Sequence, residues 1–229
     1  MKASVRCNSL TLDGPGNKTL VAMELHGKRL DKSSLGRVIR DRLPLVYGSL
    51  DLRATYDRHM AEVKQNAGVK RPVLHFLIRF PPEILGDDPP GPYAGRSVDE
   101  RKMIMAGQAV DFINATHGGN AVFAARVDRD EVGETIVDIF ASPIYEKVTK
   151  RKTERWASPT KFGKDLCEKH RNEIERRNNG RFATGPRHVG ISLQAEFAQF
   201  FERVNGAPLV SRVPKDARPP DRLEIEAWK

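Results

Sequence analysis

The run Val73-Leu74-His75-Phe76-Leu77-Ile78-Arg79-Phe80 constrains this chain more than any other segment. Eight residues are too few to span a bilayer and too uniformly apolar for a helix with one wet face, and Pro81-Pro82 ends the run abruptly. It reads as a central strand covered on both faces, so the rest of the chain must supply neighbouring strands and helices to cover it.

Those partners are present. Residues 121–128 and 135–143 read as two strands joined by Arg129-Asp130-Glu131-Val132-Gly133-Glu134, a β-hairpin. Residues 3–12 alternate loosely, as a half-buried strand does, until Asp13-Gly14-Pro15-Gly16 stops them. A helix is expected over 31–42, where Asp31 or Ser33 can cap, Leu35, Val38 and Ile39 recur at helical spacing, and Pro44 sets the limit. A polar helical segment over 52–66 follows, and residues 86–95, GDDPPGPYAG, are a loop. From Ser97 the pattern is helical again, with Met103, Ala106, Val110 and Ile113 on one face and Gly118-Gly119 as the stop. A last helix over 192–204 carries Leu193, Phe197, Phe200 and Phe201 on one face. Strands and helices interleave as α/β or α+β, one domain over 1–206, followed by a polar, proline-bearing tail or linker over 207–229.

Charge narrows the function. The chain carries a net charge of +9, and residues 147–187 hold 13 Lys or Arg against 5 Asp or Glu, so almost all of the surplus lies in one stretch. A spread excess gives solubility, whereas a patch gives a footprint for a polyanion. The stretch follows the hairpin as an insertion, and its expected phosphate contacts are Lys150, Arg151, Lys152, Arg155, Lys161 and Lys164. Aromatic residues make up 7% of the chain, which offers few platforms for stacking bases, and charge alone does not separate DNA from RNA. Cys7 and Cys167 are too few for a disulfide framework and stand in no zinc-type spacing. No window approaches the length of a membrane span and the N-terminus has no apolar run, so the expected compartment is the cytoplasm.

The hairpin is acidic where it should be apolar. Pairing symmetrically about its connection, it would set Asp128 opposite Asp138, and two facing carboxylates repel. Asp138 also sits among Ile136, Val137, Ile139 and Phe140, where an unpaired carboxylate is costly. Two resolutions are open. Mg²⁺ or Mn²⁺ between the carboxylates, completed by Glu131 or Asp130, would turn repulsion into coordination. Alternatively, Asp128 is solvated at the hairpin tip and Asp138 pairs with an arginine such as Arg126 or Arg79.

The order of elements and several words of sequence resemble the Mob/Pre relaxases of plasmid mobilisation and recombination, which are histidine-containing single-strand DNA endonucleases. The words are Glu24-Leu25-His26-Gly27-Lys28-Arg29, Ala125-Arg126-Val127-Asp128-Arg129-Asp130-Glu131, Thr135-Ile136-Val137-Asp138, Lys161 to Leu166 and Gly190 to Glu196. The resemblance implies an antiparallel central sheet flanked by helices with a basic insertion, plasmid-origin DNA as single strand or hairpin for a partner, and His26 as nucleophile, with Tyr47 or Tyr56 as substitutes. It further implies a divalent cation, Mn²⁺ or Mg²⁺, on Asp128, Glu131 and Asp138, and Arg29 among the DNA contacts. Asp128 and Ile136 stand where the family has metal-binding histidines, while Glu131 is kept in type. Two outcomes follow: an acidic variant of a nicking site, or a fold that binds origin DNA and has lost catalysis.

Overall fold

The computed structural model describes residues 1–131 and 134–209; most of the expected tail lies outside the described residues. Its centre is a five-stranded antiparallel sheet in the order β1-β3-β5-β4-β2, with β1 at Ser4–Leu10, β2 at Leu45–Tyr47, β3 at Val73–Arg79, β4 at Val122–Val127 and β5 at Ile136–Ala141. The apolar run is therefore β3, paired with β1 on one side and β5 on the other, and β5 takes the central place.

Alternation sorts the side chains between the two faces. Val5, Phe76, Ile78, Val127, Val137 and Ile139 point to one face and pack against α4 (Val98–Thr116) and α7 (Pro186–Asn205), through Phe112, Ile113, Phe197 and Phe201. Burying each such side chain contributes about 1.5–3 kcal/mol, so this face dominates the stability. The opposite face is covered only at one end, where α1 (Leu20–Gly27) and α3 (Leu52–His59) lay Leu20, Leu52 and Tyr56 over Leu10, Val73, Phe123 and Phe140. At its other end the same face carries His75, Leu77, Arg126 and Asp138 and forms the floor of a cleft.

Several expected elements differ in extent. The helix expected over 31–42 is a single turn, α2 (Lys32–Leu35), capped by Asp31, which accepts from the Ser33 and Ser34 amides. Leu35 and Ile39 are 57% and 54% exposed, so their helical spacing meets no apolar surface; Ile39 instead donates its amide to the Asp130 carbonyl at 2.8 Å. The segment expected over 52–66 keeps helical form only to His59. In α4 a capping box of Ser97 and Glu100 fixes the start, but Met103 faces solvent, and Met105, Ala109 and Phe112 form the buried stripe with Ile113. Val110 and Ile113 of the expected face are buried as well, so the two stripes merge into one wide apolar face and Met103 alone of the four turns outward.

The basic stretch is folded into the domain. It begins in the hairpin of β6 (Ile144–Val148) and β7 (Thr153–Ala157) and continues through α5 (Lys161–Lys169), α6 (Arg171–Arg177) and the start of α7. Lys64 clips the hairpin by two backbone bonds, to Arg155 and from Ala157, at 2.9 and 2.8 Å. Glu196 of α7 holds the end of α5, accepting from His170 at 2.6 Å and Lys169 at 2.8 Å. Among the described residues no helix is long and apolar enough to cross a membrane.

Candidate functional site

The cleft has a volume of about 510 Å³ and lies between the open end of the sheet and the elements that follow β1. His75, Leu77, Arg126, Asp128, Ile136 and Asp138 form its floor, and His26, Asp31 and Arg37 line its opposite wall.

Sheet register fixes the charges on the floor. Arg126, rather than Asp128, pairs directly with Asp138, two residues away from the symmetric register expected. A slip of two keeps every side chain on its face, and it replaces a repulsion by an attraction. Arg126 Nη2 donates to Asp138 Oδ2 at 3.0 Å, and its Nε lies 2.9 Å from Asp128 Oδ1. The second oxygen of Asp138 meets His75 Nε2 at 2.7 Å, while the His75 ring stacks on Phe140 with centroids 4.8 Å apart. Burial alone would raise the Asp138 carboxyl, but the His75 hydrogen bond and the Arg126 charge outweigh it and bring the pKa down to about 2. Asp128 moves upward, because its burial outweighs the pull of Arg126 and Arg29.

A second cation closes the cluster. Arg29 donates from Nε and Nη2 to the two oxygens of Asp130 at 2.7 and 2.5 Å, a bidentate pair. The same guanidinium lies 3.3 Å from Asp128 and 2.8 Å from Glu131. The hydrogen bond with Asp130 shifts Arg29 upward and Asp130 downward. Arg29 has φ of 58°, a left-handed backbone uncommon outside glycine and asparagine, just past the end of α1. Gly27 makes room for the other guanidinium, since a Cβ at that position would collide with Arg126 Nη1.

His26 sits at the end of α1 with Nδ1 3.3 Å from Asp31 Oδ2, half-buried in the cleft wall. The two tyrosines considered as substitutes are placed elsewhere. Tyr56 is 5% exposed in the cluster under α1 and α3, edge-on to Phe123, and burial raises its phenol. Tyr47 pairs with Ala125 and so shares the sheet face covered by α4, not the cleft face.

The carboxylate set does not fit a metal ion as it stands. Each of Asp128, Glu131 and Asp138 has an arginine nitrogen at 2.8 to 3.0 Å, but only Asp138 takes a hydrogen bond from it, and Asp128 Oδ1 and Glu131 Oε1 are buried without a hydrogen-bond partner; Ile136 offers no donor atom, and among the described residues no group of three or more His, Cys, Asp or Glu is arranged to hold an ion. In this structure the expected ligand triad lies against arginines, and Arg29, expected on DNA, faces the same carboxylates. The six basic residues of the insertion are all exposed: Lys150, Arg151 and Lys152 in the β6–β7 turn region, Arg155 on β7, and Lys161 and Lys164 on α5. Sequence reasoning missed His75 and Arg37 as cleft residues. A histidine at alternating parity with Leu77 in an otherwise apolar strand was the available signal for the first; Arg37 carried none.

No family model and no curated protein matches the chain. Solved structures do. The Mn-bound MobM relaxase domain (MOBV; Mob_Pre) with a 22-nucleotide oriT DNA of plasmid pMV158 and a 3′-thiophosphate, at pH 6.8, aligns over 100% of this chain and 98% of its own, with TM-score 0.55 and 12% identity. The same domain with 22 nucleotides at pH 4.6 covers 100% and 99% with TM-score 0.53, and with 23 nucleotides at pH 6.5 it covers 100% and 98% with TM-score 0.53, both at 12% identity. At this identity the shared property is the fold: the chain has the relaxase-domain fold.

Proposed function

We propose that this chain is a DNA-binding protein on a relaxase fold, which takes a plasmid-origin strand, single or in a hairpin, along the basic β6–β7 hairpin and α5. The observation that carries this reading is the display of the charge surplus. Lys150, Arg151, Arg155 and Lys164 are exposed and enter no ion pair among the described residues, whereas Arg29 and Arg126 are consumed internally. Free surface cations neutralise phosphates and release counterions; buried paired ones do not. That the fold neighbours are DNA-bound agrees with it.

The test is fluorescence anisotropy with a labelled single-stranded oligonucleotide at 50 to 200 mM salt, on wild type and on a variant with these four residues changed to Gln. Affinity falls with salt for the wild type, and the slope of log K against log salt shrinks by about 0.7 for each phosphate-neutralising cation removed. Equal slopes for the two proteins refute the placement of the strand.

A second reading, strand nicking, is favoured by one observation: His26 lines the cleft with Nδ1 towards Asp31, leaving Nε2 without a partner among the described residues. In that reading Nε2 attacks a phosphorus, the ring proton on Nδ1 passes to Asp31, the 3′-oxygen leaves and takes a proton from water, and a histidine–phosphate bond holds the 5′ end. Arg37, on the cleft wall and free of ion pairs among the described residues, would hold the phosphate. An SDS-stable protein–DNA adduct formed by wild type and lost in His26→Ala supports nicking; its absence alongside tight binding leaves a DNA-binding protein.

A further inference from the structure

The position that a cation would take between the cleft carboxylates is filled by the protein's own cations. All four carboxylates have a guanidinium nitrogen within 3.0 Å, Asp138 and Asp128 from Arg126 and Asp130 and Glu131 from Arg29; Asp138 and Asp130 are hydrogen-bonded to it, while Asp128 and Glu131 are paired by charge alone, each with one buried oxygen lacking a hydrogen bond. We propose that in this chain Arg126 and Arg29 replace a divalent cation, so that the cleft is assembled, and DNA is bound, without metal.

Three features show the arrangement to be built rather than incidental. Arg126 is placed by backbone pairing directly opposite Asp138, which leaves its position on the floor independent of side-chain rotamers elsewhere. The end of α1 lacks a side chain at Gly27, where a Cβ would meet the Arg126 guanidinium. Arg29 holds a left-handed backbone conformation, a local cost that its bidentate bond to Asp130 and its pairs to Asp128 and Glu131 offset. A metal ion entering this cluster must first displace a guanidinium and strand its charge. The Mn-bound neighbours share the fold of this chain at 12% identity, which leaves the side chains of the cleft free to differ.

The full chain is titrated with Mn²⁺ and followed by the electron paramagnetic resonance signal of the free ion, and DNA binding is measured in Mn²⁺ and in EDTA. The wild type is expected to take up no stoichiometric Mn²⁺ and to bind the oligonucleotide equally, within twofold, in both buffers. The double variant Arg29→Met/Arg126→Met, which frees the carboxylates while keeping side-chain bulk, is expected to gain one Mn²⁺. Uptake of one Mn²⁺ by the wild type, lost in Asp138→Asn, overturns the proposal; this arm decides by itself if the double variant does not fold. The DNA arm rests on the binding function proposed above. Failure to bind DNA in either buffer refutes that function and leaves the Mn²⁺ titration to judge the arginine pair separately.

Discussion

The same chemical change at two helical glycines should have opposite signs. At Gly27 a Cβ would fall on Arg126 Nη1 and 3.3 Å from Cζ, so in Gly27→Ala the guanidinium must shift, and at the limit it leaves Asp138 and Asp128. Removing one partner from a buried ion pair costs about 3–5 kcal/mol. Replacing glycine by alanine in a helix returns about 1 kcal/mol, leaving a destabilisation of at most about 2–4 kcal/mol. At Gly107, inside α4, an added Cβ meets nothing within 4 Å, so Gly107→Ala should stabilise by about 0.5–1 kcal/mol. Urea unfolding of the two variants and wild type, at a common m-value, reads the difference as shifts in midpoint. In a thermal melt Gly27→Ala should fall by about 2–4 °C per kcal/mol. If Gly27→Ala is as stable as wild type while Gly107→Ala behaves as stated, the Arg126 pairs contribute little, and the guanidinium is not what holds the cleft floor together.

His117 is buried against Phe76, and burial lowers its pKa to about 4. Above pH 6.5 the imidazole is neutral in both states; between about 6.5 and 4 the unfolded chain takes a proton that the folded one refuses, so stability is lost as pH falls, by up to about 3 kcal/mol. His117→Leu should flatten that loss, and urea midpoints at pH 7 and pH 4.5 that drop as much in the variant as in wild type would refute the assignment. Phe197 packs edge-on to both Phe80 and Phe112, and Phe197→Ala should cost about 3–5 kcal/mol by calorimetry or urea; a loss under 1 kcal/mol would mean that the face under α7 is not the main core.

Legibility followed the size of the packing signal. The apolar run of β3, the β4–β5 hairpin and the aromatic stripe of α7 each bury large side chains in a regular period; the strands were readable to within two residues, whereas α7 begins six residues before the expected start. The helix expected around Leu35 and Ile39 failed because spacing says where side chains align, not whether a surface awaits them. The oddity of Asp138 was visible in the sequence, and so was Arg126 as one of its possible partners; the register that selects between metal and arginine was not. Hairpin symmetry is a weak guide when the connection is long, since turn geometry then ceases to fix pairing. Arg29 was beyond reach for a related reason: its partners lie 99 to 102 positions away, and only the closed sheet brings the end of α1 beside the hairpin.

The two-residue offset between β4 and β5 makes the cleft charges a pairing code for the strands themselves. A slip of one would turn the whole apolar set of β4 outward and is forbidden by burial; a slip of two keeps that set inside, which makes it the cheapest competitor to the native ladder. The charges separate the two by sign: one alignment sets a guanidinium across from Asp138, the other a second carboxylate. A charge reversal at position 126 would therefore do more than unpair one aspartate. It would remove the preference between two alignments of a strand, and the disorder it introduced would be read in the backbone of the sheet before it was read in the chemistry of the cleft.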